Sequence, residues 1–191
     1  MSAATSLRAP TVAAATTVSL ALYCRHQQGE AAALRSYHVA VVVSSGDPQG
    51  NRTETIYQID NRGSPWHVNH RRRPGVYLPA SGQFVGCFVV GHVADFSVAD
   101  LGDWIVDTFP PSQRQGDWLH NKKWNCVSWA FNVLRTMSES EMLVPNILVS
   151  QLERLYTIMF VAANQFEDQV VPMNHTGLRM LVLDPRNLGS S

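Results

Sequence analysis

The sequence predicts an α+β domain in which an antiparallel sheet supports a helix that opens on a cysteine. Three observations predict it. Short apolar, β-branched runs recur through the first half, at residues 18–23, 37–43, 53–59 and 84–93, divided by turn formers rather than by helical patterns. Helical periodicity appears only afterwards, so strands and helices are segregated rather than alternating. The stronger helical pattern begins at Asn125-Cys126, where an N-cap residue precedes apolar positions Val127, Ala130, Phe131 and Leu134.

The elements follow in order. Residues 1–16, rich in Ala, Ser and Thr, read as a disordered N-terminus, and 17–191 as a single domain. Residues 18–23 (Val-Ser-Leu-Ala-Leu-Tyr) form a first strand. Residues 37–43 are a nearly continuous apolar run, which predicts a strand buried on both faces. The turn formers at 44–51 then lead to residues 53–59, whose alternation predicts a hairpin partner. Residues 61–83 carry Gly, Pro, Arg and His and read as a long surface excursion, with Arg71-Arg72-Arg73 as a solvated loop or an anion clamp. In the strand at 84–93, Gly86 and Gly91 mark candidate bulges or points of close backbone approach.

Ser97-Val98-Ala99-Asp100 resembles a capping box and starts a short helix with Val98, Leu101 and Ile105 on one face, ended by Pro110-Pro111. The helix at Cys126 follows a polar loop. Pro145 is expected to open a last helix to about Gln165, with Leu148, Leu152, Leu155 and Met159 as its apolar stripe. A final strand is expected around residues 180–183.

Composition limits the function classes. The chain has 191 residues, 45% of them hydrophobic and 16% charged, with 15 basic and 15 acidic side chains. A balanced charge without basic–aromatic interleaving argues against nucleic acid as a partner. No apolar run is long enough for a transmembrane segment. The odd count of three cysteines fits a reducing, cytoplasmic compartment, and a Cys24–Cys87 bridge is left open. Organellar targeting by the Arg8-containing N-terminus is the alternative. Neither the cysteines nor the histidines have metal-ligand spacing, so no metal and no cofactor is expected.

The chemistry centres on Cys126. A thiol at the first position of a helix is drawn toward thiolate, its reactive form, and the backbone N–H there can face an oxyanion. A thiolate needs a base, and His38 at the start of the 37–43 strand is the first candidate. His120 in the polar loop ranks second, and His67, His70 and His92 compete. Asn125 and Trp124 are near-site residues. The bland alternatives are a core cysteine and a structural histidine.

Tyr37-His38-Val39-Ala40-Val41-Val42-Val43, Thr55-Ile56-Tyr57-Gln58-Ile59-Asp60-Asn61 and Trp124-Asn125-Cys126-Val127-Ser128-Trp129 together resemble the circularly permuted papain-like superfamily. That group includes the lecithin:retinol acyltransferase-like proteins and the PPPDE-type isopeptidases, and is related to the NlpC-type amidases. The Tyr-His-x-Ala strand and Trp-Asn-Cys-x-x-Trp helix start are also similar to those of a group of fungal proteins. The resemblance spans roughly residues 18–165. It implies a papain-like antiparallel sheet packed against the cysteine helix, with Cys126 as nucleophile and His38 as base.

The resemblance places Gln58 where many acyltransferase-like members carry a second histidine. Gln58 can orient an imidazole but cannot stabilise imidazolium by charge. Asp60 shares its face of an ideal strand and is the reserve. The implied function is a cysteine-dependent amide or thioester hydrolase acting on a peptide, protein or acyl substrate. The alternative is a degenerate papain-like module that binds a protein or peptide, with Trp66, Trp118, Trp124 and Trp129 as candidate cleft residues. The sequence does not set the oligomeric state.

Overall fold

In the computed structural model the chain is an α+β protein, and among the described residues a largely antiparallel sheet carries three helices. Residues 15–25, 36–45, 53–60, 67–74, 84–111, 125–167 and 180–182 are described. The strands are β1 (Thr16–Arg25), β2 (Ser36–Ser45), β3 (Thr53–Asp60), β4 (His67–Pro74), β5 (Phe84–Val93), β6 (Leu143–Val144) and β7 (Met180–Val182). The helices are α1 (Val98–Thr108), α2 (Cys126–Glu139) and α3 (Val149–Glu167). The strand order is β4-β3-β2-β1-β5-β6, and β7 joins β5 in parallel.

The central strands form because β-branched residues fit a pleated surface packed on both sides. In β2, Val39, Val41 and Val43 are fully buried toward the helices, and Ala40 and Val42 are fully buried on the opposite face. The expectation of two-sided burial is met. β3 pairs antiparallel with β2 through Val41↔Tyr57 and Val42↔Ile56, as a hairpin partner should.

β5 solves a parity problem. Val85, Phe88, Val90 and Val93 all join the helix-side core, yet they do not share one alternation. Register shifts against β1 at Val18/Ser19 and Leu22/Tyr23 each leave one β5 residue, Val90 and Val85, without an opposite number. Each bulge resets which residues face the helices, and Gly91 and Gly86 lie beside them. Gly91 also lets the end of β6 pass close by: a Cβ there would stand 3.3 Å from the Val144 carbonyl oxygen.

Helix α1 is capped by Ser97, whose Oγ accepts from the Asp100 N–H at 3.1 Å and donates to Asp100 Oδ2 at 2.6 Å. Leu101, Ile105 and the C-cap Phe109 bury against the sheet. In α2, Val127, Ala130, Phe131 and Leu134 are buried, as their spacing predicts. Trp129 and Phe131 are among the largest fully buried side chains, each worth about 1.5–3 kcal/mol in removal from water. Trp129 Nε1 donates to the Phe109 carbonyl at 2.9 Å and ties α2 to the end of α1.

Two expectations are corrected. Residues 67–74 are a strand rather than loop, paired with β3 along its whole length from Asp60↔His67 to Thr53↔Pro74, so Arg71-Arg72-Arg73 lies in a strand. Its polar sequence has no strand periodicity; the pairing follows from the backbone groups along the outer edge of β3. The last helix starts at Val149, not Pro145. Leu148 stands before it, 58% exposed, with its N–H bonded to Gln151 Oε1 at 2.9 Å, while Leu152, Leu155 and Met159 are buried.

The structure also decides the bridge that the sequence left open. Cys24 and Cys87 are not disulfide-bonded. Cys87 pairs with Ala21, about 10 Å along β1 from Cys24, and the two thiols face opposite sides of the sheet.

Thr16, placed in the expected disordered terminus, opens β1; residues 1–14 lie outside the described residues. No helix among the described residues is long and apolar enough to cross a membrane.

Candidate functional site

Cys126 is the first residue of α2, and the local sequence determines that start. Asn125 is extended (φ −158°, ψ −178°), and its Oδ1 accepts from the N–H groups of Val127 at 2.9 Å and Ser128 at 3.1 Å. Ser128 Oγ accepts from the Asn125 N–H at 2.8 Å, closing a reciprocal capping box. Cys126 itself is 2% exposed and packs into the core between sheet and helices with Val127, Trp129 and Ala130.

His38 lies near the start of β2, half-buried, and Gln58 lies on β3, also half-buried. Gln58 Oε1 accepts from His38 Nε2 at 2.6 Å. This is the geometry by which a neutral amide fixes an imidazole. Tyr23, directly opposite His38 across the β1–β2 ladder, places its ring centroid 6.2 Å from the imidazole. Phe84 packs edge-on against Tyr23 at 5.7 Å.

Strand alternation decides how these residues relate to Cys126. Tyr37 and Val39 flank His38, and both belong to the helix-side core that contains Cys126. Tyr37 confirms its direction by donating from its hydroxyl to Asn164 Oδ1 of α3 at 2.9 Å. Tyr57 and Ile59 flank Gln58 and face the same core. Successive side chains of a strand project to opposite faces, so His38 and Gln58 lie on the far face of the sheet from Cys126. Their neighbours there, Tyr23, Ile56 and Phe84, surround a second apolar cluster of Ala21, Val42 and Cys87. The structure brings His38 and Gln58 together and puts the sheet between them and the thiol.

The other candidates are distributed as follows. Asp60 ends β3 opposite His67. His70 takes the register position opposite Tyr57, whose side chain belongs to the Cys126 core. His92 is exposed at the other end of the sheet, its Nδ1 3.1 Å from Thr17 Oγ1. His120, Trp66, Trp118 and Trp124 lie outside the described residues, and Trp129 is core. Among the described residues, no group of three or more His, Cys, Asp and Glu is arranged to hold a metal ion.

Tyr23 and Phe84, which complete the His38 cluster, escape the sequence reading because they meet only through register. The alternation of β3 bears on the face of Gln58, though not on that of His38, which depends on how β2 packs. Tyr57 and Ile59 alternate with Glu54, Gln58 and Asp60, which marks the helix side as the odd-numbered side.

No family model, curated protein or solved structure matches this chain.

Proposed function

We propose that the chain is a papain-like module that acts by binding a protein or peptide rather than by hydrolysis. The papain-like reading rests on the order of parts: a strand opening Tyr37-His38, its hairpin partner β3, and later an Asn-Cys helix start packed on that sheet. The choice of binding over catalysis rests on one observation: Cys126 packs on one face of the sheet, while His38 and its partner Gln58 occupy the other. Nucleophilic catalysis by a thiol needs its base within hydrogen-bond reach. In this arrangement the His38–Gln58 bond holds two strands together instead of charging a nucleophile.

A second reading keeps Cys126 as the nucleophile of an amide or thioester hydrolase, because it opens a well-capped helix, and takes the base from its own face. The register position of His70 opposite Tyr57 makes His70 the first residue to test in that role. One experiment separates the readings. Native protein is treated with iodoacetamide at neutral pH, and alkylation of Cys24, Cys87 and Cys126 is followed by peptide mass mapping. The binding reading expects Cys126 to react as slowly as the two buried strand cysteines, in wild type and in His38→Ala. Fast, selective labelling of Cys126 overturns it. Loss of that labelling in His70→Ala would assign the base to β4, and its loss in His38→Ala would restore the His38 pair.

A further inference from the structure

We propose that β4 is a docking edge for an acidic peptide segment, which adds to the sheet as a further antiparallel or parallel strand. The proposal rests on the binding reading above and names its partner class. β4 ends the strand order, and among the described residues only β3 pairs with it. β3 takes one edge over all eight residues from His67 to Pro74. The other edge of a strand carries the alternating N–H and C=O groups that extended peptides recognise in strand addition.

Charge identifies the occupant. The chain as a whole is neutral, yet Arg71, Arg72 and Arg73 stand at consecutive positions of this one strand. In register Arg73 stands opposite Glu54, whereas Arg71 and Arg72 stand opposite the uncharged Ile56 and Thr55, so this stretch of β4 carries more positive charge than the strand beside it balances. A carboxylate-bearing strand finds complementary charge there as well as a backbone ladder. A second copy of β4 does not fit, because antiparallel self-pairing brings like charges together across the ladder. Pro74 has no N–H to donate and bounds the edge at its C-terminal end. The opposing use of such residues is to guard an edge against any pairing, and the experiment below decides between recognition and guarding.

The probe is a synthetic extended peptide with three consecutive Glu residues flanked by Thr and Val, titrated into the full-length protein by fluorescence anisotropy. Three companions isolate the terms: the same peptide N-methylated at alternate residues, a Lys-for-Glu version, and a protein with Arg71, Arg72 and Arg73 all changed to Ser. Saturable binding of the Glu peptide is expected, weakening as salt rises. N-methylation in one of the two alternations, which removes ladder donors but no charge, should abolish it. The triple Ser variant should bind about tenfold more weakly, and a triple Lys variant, which keeps the charge, should bind within a few-fold of wild type.

Equal binding of the Glu and Lys peptides, indifference to both N-methylation patterns, or no binding at all overturns the proposal; the last means that the arginines guard the edge. Thermal melts of both variants establish that they are folded. Cysteine alkylation of the same sample separates the two failures. An inert Cys126 with no peptide binding sinks only the docking edge, whereas a reactive Cys126 sinks the binding reading beneath it.

Discussion

Gly102 is the position at which α1 rests on the sheet, and replacing it by alanine tests that packing directly. A Cβ built at Gly102 would overlap the Tyr57 hydroxyl outright and stand 2.8 Å from Cζ, with Cε1 at 3.5 Å. Carbon atoms pack at about 3.5–4.0 Å, so Cζ must withdraw by about an ångström and the hydroxyl by more. Tyr57 is only 6% exposed and belongs to the main core, and its ring is stiff, so the withdrawal displaces packed neighbours. Overpacking of this kind costs about 1–3 kcal/mol. Alanine returns about 1 kcal/mol through helix propensity.

The expected net is a loss of up to about 2 kcal/mol, seen in urea melts as a lower midpoint with an unchanged slope. Tyr57→Phe removes the atom in deepest overlap, so the double variant should recover part of the loss as a favourable coupling. If Gly102→Ala instead stabilises the protein by the full propensity gain, and shows no coupling to Tyr57, the placement of α1 against β3 is wrong.

Three further outcomes are expected. Asn125→Ala removes two cap bonds at the start of α2 and should cost about 1–2 kcal/mol in a urea melt, most of it recovered by Asn125→Ser or Asn125→Asp; an unchanged midpoint would place the helix start elsewhere. His38→Ala and Gln58→Ala should each destabilise by about 1 kcal/mol and show a coupling of about 0.5–1.5 kcal/mol in a double-mutant cycle, as a part-buried hydrogen bond requires; a coupling of zero removes that bond from the account. A thiol assay on protein purified without reductant and unfolded in denaturant should count three thiols, since Cys24 and Cys87 face opposite sides of the sheet; a count of one would mean that the bridge forms after all.

The parts of the fold legible in the sequence were those with strong local signals. The β-branched runs located β1, β2, β3 and β5, the glycines flagged both β5 bulges, and Asn125 marked the start of α2. What was not legible depended on partners distant in sequence. β4 is a strand because β3 offers it an edge, and β6 is two residues long, held by His92↔Val144 and Val93↔Leu143. The helix-opening proline was misread because the Ser138 hydroxyl bonds the Ile147 carbonyl, holding residues 145–148 against the end of α2, and α3 starts only beyond that tie.

The candidate site divides along the same line. The sequence by itself determined that a capped helix begins on Cys126 and that His38 sits at the head of a strand, because caps and strand propensity are written in adjacent residues. It could not determine the face on which His38 lies. β2 is apolar on both sides, so its own pattern carries no polarity to tell inside from outside, and a shift of one residue exchanges the two faces. Only the tertiary structure decided that, through Tyr37 reaching α3, Tyr57 meeting α1, and Gln58 between Tyr57 and Ile59 closing on His38. A face is a property of the packing between strand and helix, and two short motifs far apart in the chain contain no term for it.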